Sequence, residues 1–98
     1  MAKRKIIWSV AAKDKFKKIL SFYNHRNGNN NYSISLLKEV TNDLRLLINN
    51  PELGVKTSTS PIRGLIIGEY IFFYEVTDKA IVVLTVWSCQ QDPNRLKL

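Results

Sequence analysis

The chain has 98 residues, enough for one hydrophobic core, so 1–98 reads as a single domain and a multidomain enzyme is excluded. With 45% hydrophobic and 23% charged residues it is too apolar to be disordered, and at this size no deep enclosed cofactor pocket is expected. The net charge of +7 lies in the first half, where ten Lys/Arg in residues 1–50 face Asp14, Glu39 and Asp43, while 51–98 carry five of each sign; this favours an anionic partner, either nucleic acid or an acidic protein, over a surface that is basic only for solubility.

Lys5 to Trp8 opens the fold as a short apolar strand, and Ser9 follows as a helix N-cap whose hydroxyl can take a free backbone N–H. Ala12, Phe16, Ile19, Leu20 and Tyr23 then recur at the helical period, with Lys13, Lys15, Lys17 and Lys18 on the other faces, which predicts a first helix over residues 10–25. The turn Asn27-Gly28-Asn29-Asn30-Asn31 ends it, with His25 read as a helix-end residue. Ser33 is the expected cap of a second helix whose stripe is Leu37, Val40, Leu44, Leu47 and Ile48, stopping at Asn49-Asn50-Pro51.

The period then changes. Residues 62–67, 70–76 and 80–87 are rich in Ile, Val, Phe and Tyr and are separated by Gly68-Glu69 and Thr77-Asp78-Lys79, which reads as a three-stranded meander. Strict alternation sets Tyr70, Phe72, Tyr74 and Val76 against Ile71, Phe73 and Glu75, and Val82, Leu84 and Val86 against Ile81, Val83, Thr85 and Trp87. The predicted fold is α+β in the order β-α-α-β-β-β, a curved antiparallel sheet packed by an N-terminal helical hairpin.

Cys89 is a lone cysteine and His25 a lone histidine, so no intramolecular disulfide and no zinc cluster is expected; no metal or cofactor is called for. The start, Met-Ala-Lys-Arg-Lys, is followed by only Ile6, Ile7 and Trp8 before polar residues return, so neither a secretory leader nor a membrane span is expected, and a cytoplasmic location fits.

Taken in order, Ile7-Trp8, Ala12-x-x-x-Phe16-x-x-Ile19-x-x-x-Tyr23, Pro51-Glu52-Leu53-Gly54, Arg63-Gly64-Leu65, Tyr70 through Val76, and Val86-Trp87-Ser88-Cys89-Gln90-Gln91-Asp92-Pro93 resemble the RelE/ParE toxins of bacterial type II toxin–antitoxin modules. The resemblance implies the same fold and a cognate antitoxin, with a heterotetramer among the assemblies open to the pair. RelE-like members cut mRNA on the ribosome without a metal, using basic side chains to stabilise the transition state, whereas ParE-like members inhibit DNA gyrase.

The nuclease pattern has an Arg after the Tyr of the third strand and another shortly after the last strand. Here those places hold Ile71 and Cys89-Gln90-Gln91, and Leu53 stands where some nucleases keep a carboxylate. Arg63 matches the Arg-x-Leu of ParE-like sequences, either pinning the strand through Glu69 or Glu75 or binding an anion. Lys56, Arg63, Arg95 and Lys97 are the candidate target- or nucleic-acid-binding residues, and Arg63, Arg95 and Lys97 the catalytic candidates if the chain is a nuclease. Trp87 either anchors the antitoxin or covers the outer sheet face. The reading is a toxin of the ParE-like kind, leaning away from an enzyme; the alternatives are an atypical ribosome-dependent endoribonuclease and an inactive toxin-fold protein that only binds its antitoxin.

Overall fold

The computed structural model describes residues 4–89. Strand β1 (Lys5–Trp8) leads into helices α1 (Val10–Asn27) and α2 (Asn31–Asn49), and β2 (Val55–Lys56), β3 (Arg63–Ile67), β4 (Tyr70–Val76) and β5 (Ala80–Ser88) follow. They form one sheet in the order β1-β5-β4-β3-β2, so the expected α+β order holds with a two-residue strand added before the meander.

One expectation is corrected. The β3-β4-β5 meander is antiparallel, but β1 lies parallel to β5, with Lys5 opposite Ala80 and Trp8 opposite Val83. β1 reaches β5 only through the rest of the fold, and so long a connection permits the parallel pairing that a hairpin forbids.

Ser9 does start α1. Its Oγ accepts the Ala12 N–H at 3.0 Å and donates to the Leu84 carbonyl at 2.9 Å, so one side chain caps the helix and fastens it to β5. Gly28 ends α1 in the left-handed region at φ 70°, its N–H on the Asn24 carbonyl, a conformation in which a side chain would be strained.

The start of α2 differs from the expectation. Asn30 is the cap position, and Ser33 lies inside the helix, buried, with Oγ donating to the Leu20 carbonyl at 2.9 Å and against the Asn24 side chain. A polar residue therefore fills the first core position of α2. The buried stripe is Ser33, Leu36, Val40, Leu44 and Leu47, while Leu37 is 46% exposed.

The helices cover the sheet face that carries Tyr70, Phe72 and Tyr74. Trp8 stacks on Phe16 at 5.3 Å between ring centres, and Phe72 meets both rings edge-on, which joins β1, α1 and β4. The opposite face holds a smaller cluster of Ile71 and Phe73 with Ile62 and Trp87 against it. Strict alternation fails in β5, because a register shift between Phe73 and Tyr74 lets Phe73 oppose Thr85 while Tyr74 opposes Val83. The extra residue, Leu84, turns the following side chains over, so that Ile81, Val83 and Val86 all enter the main core.

Candidate functional site

The site begins with a turn held from beneath. After α2, residues Pro51 to Gly54 pass over the end of β4, where the buried Tyr74 hydroxyl donates to the Pro51 carbonyl at 2.7 Å and accepts the Gly54 N–H at 2.9 Å. A Cβ on Gly54 would lie 2.6 Å from that hydroxyl and 2.8 Å from the Gly64 carbonyl oxygen, so only glycine allows this approach. Burial raises the Tyr74 phenol above its usual range, with the Gly54 N–H and the Arg63 charge pulling the other way, so it stays a neutral donor at physiological pH.

Arg63, at the start of β3, opposes Tyr74 and so leaves the sheet on the helix-covered face. Its Nη1 donates to the Gly54 carbonyl at 2.9 Å and to the Glu52 carbonyl at 3.4 Å. The strand is thus pinned, but by backbone carbonyls of the turn rather than by the carboxylates of Glu69 or Glu75. Lys56 on β2 is the direct cross-strand neighbour of Arg63. Two like charges placed opposite one another destabilise a sheet unless something offsets them.

A third cation joins them. Arg4 donates through Nε to the Thr77 carbonyl at 2.8 Å, and Arg4, Lys56 and Arg63 line an open cleft of about 610 Å³ with Glu52, Thr57 and Ser60. The far wall is the loop from Thr57 to Ile62, shaped by Thr57 Oγ1, which donates to the Ile62 carbonyl at 2.7 Å and accepts the Thr59 N–H at 3.2 Å. Each arginine is fixed along one edge by main-chain carbonyls, the arrangement that suits an anion entering from solvent.

Of the residues selected from sequence, Lys56 and Arg63 come together in this cleft, while Arg95 and Lys97 lie outside the described residues. Arg4 was missed, because in the sequence it is one charge among Lys3, Arg4 and Lys5 and its position depends on the parallel pairing of β1. Trp87 packs on Ile71 and Phe73, with Lys15 Nζ 4.5 Å above its ring, and its buried Nε1 has no partner among the described residues. Ile71 is itself buried in that cluster, and Cys89, exposed, donates its N–H to the Glu69 carbonyl at 2.8 Å. At the far end of the helices the Tyr70 hydroxyl donates to Tyr23 at 2.8 Å, tying β4 to α1. No helix among the described residues is long and apolar enough to cross a membrane.

A family model described as the ParE toxin of the type II toxin–antitoxin system, parDE, matches residues 6–93. Among solved structures, a chain from a chromosomal ParDE toxin–antitoxin system of P. aeruginosa superposes with a TM-score of 0.74 at 16% identity, covering 88% of this chain and 96% of that one. A search of curated proteins finds no significant match.

Proposed function

The chain belongs to the ParE toxin family of type II toxin–antitoxin systems, and on that footing we propose that it arrests growth by acting on DNA gyrase rather than by cutting mRNA, and that a cognate antitoxin neutralises it. The observation that carries this reading is Ile71. Ribosome-dependent cleavage builds negative charge on a phosphate, and each fixed donor meeting that charge is worth about 3–4 kcal/mol. At the strand position after Tyr70, where the nuclease branch has an arginine, a buried aliphatic side chain is instead packed between Phe73 and Trp87. Neither a phosphate nor a cation would enter that cluster without the cost of burying a charge among apolar groups.

The cleft of Arg4, Lys56 and Arg63 is then the contact for an anionic surface of the target. Arg63 also pins the turn through the Gly54 carbonyl, and the Lys56 charge set opposite it on the neighbouring strand is what this reading assigns to binding. To test the reading, the chain is induced in growing cells while incorporation of labelled thymidine and methionine is followed. DNA synthesis should stop first, and Arg63→Ala should delay the arrest. Early loss of protein synthesis, with mRNA cuts in translating ribosomes that disappear in Arg63→Ala, would support the endoribonuclease reading, and undisturbed growth with soluble protein would support the inactive one.

A further inference from the structure

Charge is shared unevenly between the two helices. α2 carries Lys38 and Arg45 against Glu39 and Asp43, whereas α1 carries Lys13, Lys15, Lys17, Lys18 and Arg26 against Asp14 alone. An exposed helix gains from opposite charges three or four residues apart and from acids in its first turn. α1 has no acid in that turn, and it repeats one charge at Lys13 and Lys17 and again at Lys15 and Lys18. Among the described residues Asp14 makes no ion pair with Lys18 one turn on. Helix stability therefore does not account for this surface. We propose that the flank of α1 away from α2 is a second contact, separate from the cleft, that holds a single strand of DNA with its phosphates on Lys15, Lys18 and Arg26 and a base against Phe22.

Helical geometry gathers these four residues. At about 100° per residue, Lys15, Lys18, Phe22 and Arg26 fall within roughly 80° of one another around the axis. Ser33 of α2 meets α1 at the Leu20 carbonyl and the Asn24 side chain, and Asn24 lies about 160° around from Phe22, so the stripe points away from α2. All four residues are exposed, Phe22 to 51%. Aromatic rings hold the cations at both ends, with Lys15 Nζ 4.5 Å from the centre of the Trp87 ring and the Arg26 guanidinium 6.0 Å from that of Phe22. Between Lys15 and Arg26 the stripe runs about 16 Å at 1.5 Å per residue. One DNA strand carries a charge per 3.4 Å of axis, so roughly five phosphates span that length.

The half-exposed ring among cations selects the occupant. A surface that is basic for solubility alone gains nothing from Phe22 at that place. Single strands are held by both features together, a cationic track for the backbone and an aromatic ring on which a base stacks, whereas a duplex keeps its bases inside. A second copy of the chain would set the same cations against one another. The preference for a single strand follows from the stripe, and DNA rather than RNA rests on the reading of gyrase as the target.

The test titrates the full chain with labelled oligo(dT), a DNA duplex of the same length and the matching oligo(U), read by fluorescence anisotropy over a salt series, with polyglutamate as competitor. Oligo(dT) should bind at least about fivefold tighter than the duplex. Phe22→Ala should weaken it by about fivefold or more, while Phe22→Tyr, which keeps the ring, stays within about twofold. Lys18→Gln and Arg26→Gln should each lower the slope of log affinity against log salt by about 0.7, the share of one phosphate on a single strand. Lys13→Gln, in line with Asn24 on the side toward α2, should leave that slope within about 0.2. In the unaltered chain the amide resonances of Lys15, Lys18, Phe22 and Arg26 should shift when oligo(dT) is added, a measurement that stands if a variant fails to fold. Shifts confined to Arg4, Lys56 and Arg63, an equal hold on the duplex, polyglutamate competing as well as the strand, or normal binding by Phe22→Ala would each overturn the proposal. Tighter binding of oligo(U) than of oligo(dT) overturns the assignment to DNA. If thymidine incorporation stops first in cells but oligo(dT) does not bind, the stripe fails and the gyrase reading stands. If oligo(dT) binds at the stripe but protein synthesis stops first, the gyrase reading fails and the single-strand contact stands.

Discussion

Replacing Tyr74 by Phe removes one oxygen atom and should unfasten the Pro51–Gly54 turn from the sheet. The hydroxyl makes two hydrogen bonds there, to the Pro51 carbonyl and from the Gly54 N–H. Gly54 is buried, so its N–H would be left without a partner at a cost of about 1–3 kcal/mol, whereas the half-buried Pro51 can turn its carbonyl toward water and loses about 0.5–1.5 kcal/mol. The ring still fills its place, so no cavity is added. The sum is about 1.5–4.5 kcal/mol, and for a domain of this size each kcal/mol lowers the melting temperature by roughly 4–8 °C, so a fall of at least about 6 °C is expected. Urea unfolding followed by circular dichroism should show a lower midpoint with an unchanged slope, the mark of lost stability rather than of a more compact unfolded state. Because Arg63 hangs on carbonyls of the same turn, the variant should also blunt growth arrest. A loss below about 0.5 kcal/mol would refute the reasoning, since the turn would then be held by something other than Tyr74.

Gly54→Ala should cost about 1–3 kcal/mol by overpacking, and only part of that should be relieved in a Tyr74→Phe background, because the added Cβ still meets a ring carbon at 2.7 Å and the Gly64 carbonyl oxygen at 2.8 Å; a double-mutant cycle in urea measures the relief. Ser9→Ala should lower stability by about 1–2 kcal/mol, through the lost Ala12 cap and the lost link to the Leu84 carbonyl, both read by the same unfolding assay. Burial raises the phenols of Tyr70 and Tyr74, with the Tyr23 hydrogen bond adding to the shift of Tyr70, so the folded chain keeps protons that unfolded tyrosines release at about pH 10. Stability should therefore be independent of these groups below about pH 10 and fall as pH rises above it, less steeply in a Tyr70→Phe/Tyr74→Phe double variant.

The sequence reveals an element clearly where one local rule governs it. Ser9 caps α1 as its place before an apolar stripe requires, Asn27-Gly28 ends it, and the β-branched and aromatic runs from Arg63 to Ser88 become the meander. Failures occur where distant partners decide. Ser33 hid the start of the α2 stripe, because a serine reads as polar until the Leu20 carbonyl that satisfies it is in view. The bulge at Leu84 defeated simple alternation, and a two-residue β2 is too short to leave a pattern. In the candidate site Lys56 and Arg63 were visible as residue types. The carbonyls that orient Arg63, the supporting Tyr74 hydroxyl and the arrival of Arg4 all depend on contacts between segments far apart in the chain.

The parallel pairing of β1 with β5 also has a kinetic side. Every partner in that ladder lies 75 positions away, as Lys5 does from Ala80, whereas the meander closes through turns of a few residues. The entropy lost in closing a loop grows with its length, and non-local contacts form only after that cost is met. The meander and the helical hairpin should therefore assemble first, leaving the first strand made to find its neighbour last. Trp8 joins Phe16 and Phe72 only at that step, so its fluorescence should report the final, slowest phase of refolding, in which the chain is completed at the end where it begins.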